Sequence, residues 1–117
     1  MKVKKTLDEE CLTGKNGIRD AQGLLAGKWK FSIIAALHFE GVMRFMDLLR
    51  HIDGIAPKVL SNELKDLELN HLVTKTVCDT RPVTVEYELT QLGHDLEPVI
   101  LEMSKWGVMY RNTIVKN

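Results

Sequence analysis

From Ile18 to Leu37 apolar residues recur every three or four positions, the spacing of helices with one face turned inward. Ile18, Ala21, Leu24 and Leu25 make a first stripe, Gly27 breaks it, and Trp29, Ile33, Ile34 and Leu37 make a second that Gly41 closes. Phe45, Leu48, Leu49 and Ile52 predict a third, short helix, stopped by the turn pair Asp53-Gly54. The fourth opens at Pro57, whose missing N–H would have no partner at a first helical position; the proline also pushes Ala56 to extended backbone. Beyond His71 the period changes to two. Val83, Val85, Tyr87 and Leu89 alternate with Thr84, Glu86 and Glu88, Val73 to Cys78 reads as the partner strand, and Asp79 to Pro82 forms the tip between them. A last helix is predicted from Thr90 towards Asn112, its stripe Leu92, Leu96, Val99, Met103, Trp106 and Tyr110, with Pro98 bending it after two turns.

Three helices, a fourth that could read a surface, a two-stranded wing and a long terminal helix make, in that order, a winged helix-turn-helix. The fold class expected is α+β, mostly helical, with a long C-terminal dimerisation helix. The chain's 117 residues, 44% of them hydrophobic, suffice for one such domain and its core. The expected organisation is a flexible polar segment over 1–16, ending in the turn-prone Gly14-Lys15-Asn16-Gly17, the winged domain with its dimerisation helices over 17–113, and a tail over 114–117.

The fourth helix carries the most information. Leu60, Leu64 and Leu67 fall at about 180–240° from Lys58 around the helix axis, while Asn62 and Lys65 fall within about 40° of it. One face is core and the other a cationic, amide-bearing stripe, which beside a β-ribbon is what a major-groove reading helix requires. Lys58, at the positive end of the helix dipole, suits a phosphate or a guanine. Ser61 and Asn62 can reach base edges, an Asn amide pairing both ways with adenine, and Lys65 suits backbone phosphate. Arg81, at the hairpin tip beside Pro82, could enter a minor groove or clamp a phosphate. Arg44 and Lys75 are candidates for phosphate or for surface ion pairs. Lys28 and Lys30, flanking Trp29, are weaker candidates, read as capping a helix surface.

Composition tempers this picture. Sixteen basic and sixteen acidic side chains cancel, so DNA affinity has to come from placement of charge rather than its sum. From Glu86 to Glu102 there are five acids and no Lys or Arg, yet from Arg44 to Arg81 six bases meet six acids. The alternative function is a winged helix used only for protein contact, which neutrality favours; the salt dependence of binding to mixed DNA separates the two. An enzyme finds no support, for there is no nucleophile with a base, no phosphate-cradling glycine loop and no metal constellation. His38, His51, His71 and His94 lack metal-ligand spacing, and no cofactor is expected. The opening MKVKKTLDEECL has no apolar run behind its basic cluster, and no stretch is long and apolar enough to span a bilayer, so a cytoplasmic protein without membrane partners is expected. Cys11 and Cys78, 67 positions apart, read as reduced thiols rather than a zinc site or a disulfide framework.

Taken together, Gly27-Lys28-Trp29, Arg44-Phe45 with Leu48, Gly54-Ile55, Lys58 with Leu60-Ser61, Leu64 with Leu67-Glu68, Leu72-Val73, Pro82, Val85-Glu86-Tyr87 with Leu89-Thr90, Gly93, Pro98-Val99 and Trp106-Gly107 form an ordered set. Over 16–107 the chain thereby resembles the HxlR-type transcriptional regulators, close to the MarR group. The resemblance implies a sequence-specific, dimeric DNA-binding regulator. It departs from the family at two places. The position thirteen residues before Trp29 is often Cys there but is Asn16 here, the nearest thiol being Cys11 five residues upstream. The residue before the reading helix is often Ser or Thr there but is Ala56 here, a lost cap of roughly 1 kcal/mol that Pro57 partly offsets.

Useful specificity over a genome takes two half-sites, so a two-fold dimer on a near-palindromic operator is expected. Val99, Met103, Trp106 and Tyr110 would form its surface, with Gly107 allowing close approach and Ile18 and Leu25 of the first helix completing it. Trp29 and Trp106 read as core or interface anchors, and Met43, Met46, Met103 and Met109 as adaptable packing or the lining of an effector pocket. The signal expected is a small molecule or a thiol oxidant at Cys11, near Lys15, whose charge favours thiolate.

Overall fold

The computed structural model describes residues 14–116. Its backbone is helical over 14–24 (α1), then runs Lys30–Glu40 (α2), Met43–Arg44 (β1), Phe45–His51 (α3), Pro57–Leu69 (α4), Val73–Cys78 (β2), Thr84–Leu89 (β3), Gln91–His94 (α5) and Glu97–Lys116 (α6). The expected α+β winged helix is present. Its core is the predicted stripes brought together: Ile33, Ile34 and Leu37 of α2, Leu48 of α3 and Leu60, Leu64 and Leu67 of α4 are all shut off from solvent. Gly41 ends α2 at a φ of 83°, where a side chain would be strained, and its N–H donates to the Leu37 carbonyl.

Helix α4 starts as foreseen, with Pro57 in its first turn and Ala56 extended at φ −78°, ψ 148° and without a side-chain cap. Strands β2 and β3 pair antiparallel from Val73 opposite Leu89 to Cys78 opposite Thr84. Val83, expected in the strand, belongs instead to the exposed tip.

Further expectations need correction. The wing is three-stranded, in the order β1-β3-β2, because Met43 and Arg44 pair with Tyr87 and Glu86; two residues are too few to show an alternation. Gly14 to Gly17 is helical rather than a turn, since glycine weakens a helix by roughly 1 kcal/mol without forbidding it and no proline intervenes. The helical backbone also continues to Lys116, through the expected tail. Finally, the terminal helix is two helices. Asp95 and Leu96 separate α5 from α6, so Pro98 occupies the first turn of α6, where it costs no hydrogen bond, instead of bending a continuous rod.

Thr90 organises that break. Its hydroxyl accepts the Gly93 N–H at 3.1 Å and donates to the His71 carbonyl at 2.7 Å, while its own N–H donates to the Leu72 carbonyl at 3.0 Å. Nearby, His38 Nδ1 meets His94 Nδ1 at 3.0 Å and His38 Nε2 meets the Glu97 carboxylate, tying α2 to α5 and α6. Leu96 and Ile100 pack on the core, after which residues 101–115 of α6 are exposed throughout. This projecting helix helps to stretch the molecule to 65 × 42 × 21 Å.

Candidate nucleic-acid interface

Because Leu60, Leu64 and Leu67 are drawn into the core, α4 is rotated with Lys58, Ser61, Asn62 and Lys65 towards solvent, and all four are exposed. Among the described residues neither lysine forms an ion pair. Arg44, Lys75 and Arg81 are likewise exposed, and none of them has a carboxylate partner among those residues. A cation without a carboxylate partner keeps its full charge available to a phosphate.

The structure brings some of these residues together and separates others. A cleft of about 440 Å³ runs between α3, α4 and β3, and Arg44, Ser61, Val83, Thr84 and Tyr87 line it together with Arg50. Arg50 was not singled out by the sequence reasoning. It sits in the last turn of α3, held by Asp47 Oδ1 at 2.7 Å, and that i, i+3 pair was the available signal. Arg44 is opposite Glu86, whereas Lys75 is opposite Tyr87, one position along, so the two cations occupy opposite faces of the sheet. Arg81 stands apart on the 79–83 tip.

Lys30 behaves unlike a solvated helix lysine. Its residue is 7% exposed, and its ammonium lies 3.0 Å from Glu63 Oε2 and 3.1 Å from Asp66 Oδ2 of α4, with the Ala26 carbonyl at 3.4 Å. Burial pulls the amine's pKa down, but the hydrogen bonds and charges of the two carboxylates outweigh it and hold the pKa above the ordinary lysine value. Lys30 is therefore charged and unavailable to DNA. Lys28 instead lies over the Trp29 ring, 4.8 Å from its centre.

The predicted dimer residues divide as well. Ile18, Val99, Met103, Trp106 and Tyr110 are exposed, the last two rings stacked with centres 5.1 Å apart. Leu25 is instead part of the core, because it lies beyond the helical run of α1, where the chain turns in towards α2. Cys11 lies outside the described residues, and Cys78 is a half-buried free thiol at the end of β2. No group of side chains able to hold a metal ion, and no helix long and apolar enough to cross a membrane, occurs among the described residues.

Comparison with known proteins agrees with this geometry. Residues 24–115 match the model of the HxlR-like helix-turn-helix family. The chain is 40% identical over 85 residues to the HTH-type transcriptional regulator YdzF of Bacillus subtilis (strain 168), covering 73% of this chain and 78% of that one. Its structure is similar to that of a protein described as a MarR-family transcriptional regulator from Porphyromonas gingivalis W83, with a TM-score of 0.71 and 37% identity over 78% of this chain and 88% of that one. It is also similar to the redox regulator HypR in its reduced form, with a TM-score of 0.78 and 30% identity over 86% and 99% of the two chains.

Proposed function

The chain belongs to the HxlR-like helix-turn-helix family of transcriptional regulators, and from that premise we propose that it acts in the cytoplasm as a two-fold dimer on a near-palindromic operator, each protomer laying α4 in a major groove. Lys58 and Lys65 bind phosphate or guanine, Ser61 and Asn62 touch base edges, Arg81 reaches from the wing tip towards the adjacent minor groove, and Arg44 and Lys75 meet the backbone. The observation that carries this reading is the exposed face of α4 beside the wing, whose Lys58 and Lys65 have no ion-pair partner among the described residues. A neutral chain can still bind DNA where cations are exposed on the contacting helix while carboxylates beside them are paired, as Glu63 and Asp66 are with Lys30.

The experiment is selection of bound duplexes from a random pool, followed by affinity measurements on two variants. A two-fold motif is expected from the wild type. Asn62→Ala should relax base preference at its position by about 1–3 kcal/mol, and Lys58→Ala should weaken binding to all sequences, both with unchanged melting. Operator affinity left intact by both substitutions would remove this contact set.

The signal is a small molecule or an oxidant that changes the angle between the two reading helices. The oxidant version is supported by the likeness to HypR and puts the reacting thiol at Cys11. Oxidant-driven release from DNA should then be lost in Cys11→Ser; release that persists assigns the signal elsewhere.

A further inference from the structure

Helix α4 carries more acid than base: Lys58 and Lys65 against Glu63, Asp66 and Glu68. For a helix entering a groove walled by phosphates this is an unfavourable sum. Asp66 lies only about 40° round the axis from Asn62, and with half its side chain exposed it borders the proposed reading face. Glu63 is one turn earlier on the same flank, more covered. Both carboxylates converge on the ammonium of Lys30, the buried charged side chain of the described residues, which reaches them from the first turn of α2.

We propose that Lys30 is a positioning residue for DNA recognition: its single ammonium offsets one of the two negative charges that Glu63 and Asp66 place on the flank of α4 and fixes the helix's rotation, so that Lys58, Ser61, Asn62 and Lys65 face the groove. This rests on the reading of α4 as the DNA-facing helix. Two carboxylates one turn apart, gripped from a neighbouring helix, resist rotation in either direction, which a single ion pair on a flexible stem would not. The ammonium brings that flank from two negative charges to one, so that the positive charges of Lys58 and Lys65 exceed it. A lysine suits this place because its four-carbon stem lies along the covered surface between α2 and α4 while its head reaches the carboxylates.

The test compares full-length Lys30→Met, Lys30→Arg and the neutral triple Lys30→Met/Glu63→Gln/Asp66→Asn, using a duplex selected by the wild type and a mixed-sequence duplex of equal length. Lys30→Met keeps the apolar stem, and its orphaned carboxylates retain access to water, so the fold should hold. It should bind both duplexes about tenfold more weakly at low salt, with the deficit shrinking as salt screens the freed carboxylates. Lys30→Arg should keep most of the affinity, and the triple should recover it. Wild-type affinity in folded Lys30→Met, or a triple no better than Lys30→Met, overturns the proposal. If Lys30→Met does not fold, the triple decides alone: affinity at or above wild type supports the electrostatic role, and weak binding by a folded triple refutes it. Full affinity in Lys58→Ala and Asn62→Ala would instead refute the DNA face itself, a result distinct from any Lys30 outcome.

Discussion

A Cβ built on Gly93 would stand 2.5 Å from the carbonyl oxygen of Leu72, and 2.9 Å from the Leu89 side chain. The same carbonyl accepts the Thr90 N–H, so α5 is seated directly on the backbone that begins β2. Only a residue without a side chain permits that approach. Gly93→Ala must lift α5 away and disturb the Thr90 hydrogen bonds. We expect a loss of about 1–3 kcal/mol, measured by urea unfolding; a midpoint equal to wild type would show that the seat yields freely.

The first turn of α4 lacks a side-chain cap. Ala56 already has the extended backbone that capping residues adopt and is exposed, yet it offers α4 no side-chain acceptor. Ala56→Ser should add about 1 kcal/mol by accepting an N–H of the first turn. The urea midpoint should rise with the slope unchanged.

Much of this arrangement was legible in the sequence, because large apolar residues at helical or strand spacing have one way to be buried together. Leu60, Leu64 and Leu67 fixed which side of α4 faces out, and Pro57 fixed where it starts. What escaped has physical reasons. The stripe Leu92, Leu96, Val99 keeps helical spacing across the two-residue break at Asp95 and Leu96, so periodicity could not reveal it. Strand β1 is too short to have a period. Lys30 is buried only because Glu63 and Asp66, distant in the chain, neutralise it, and a charge's partners are not readable from its neighbours. Arg50 lay hidden because its value comes from the cleft shared with Ser61, which exists only once α3 and α4 are packed.

Two groups give the stability a definite alkaline dependence. Lys30 is held above its ordinary 10.5: burial opposes this, but the hydrogen bonds and charges of Glu63 and Asp66 win. Tyr87 is held above 10.0, chiefly by burial and then by the charge of Glu68. In both cases the fold prefers the protonated form. Their contributions are therefore complete below the unfolded values and are lost as pH rises through the raised folded ones. Melting should be insensitive to these two groups up to about pH 9 and fall above about pH 10. Tyr87→Phe should make that fall shallower; an unchanged profile would mean that the phenol contributes nothing.

The projecting half of α6 supplies the last prediction. Val99, Met103, Trp106 and Tyr110 are 45%, 48%, 60% and 53% exposed in the single chain, a row of large apolar side chains along one side of a helix. Isolated exposed apolar residues are ordinary, but a contiguous row of this kind is the sort of surface that a second chain can cover. Gly107 lies in that row, and a Cβ there would meet nothing within 4 Å, so a second helix could come close. Trp106→Glu should therefore give a monomer by sedimentation while leaving the melting of the core nearly unaltered, since no core contact depends on that side chain. Gly107→Leu should weaken the dimer by a different route, holding the helices apart. Both variants should retain weak binding to a single half-site and lose the tight binding that requires two half-sites. A wild-type protein that sediments as a monomer at concentrations where it fills its full operator would show that α6 plays no part in pairing the reading helices.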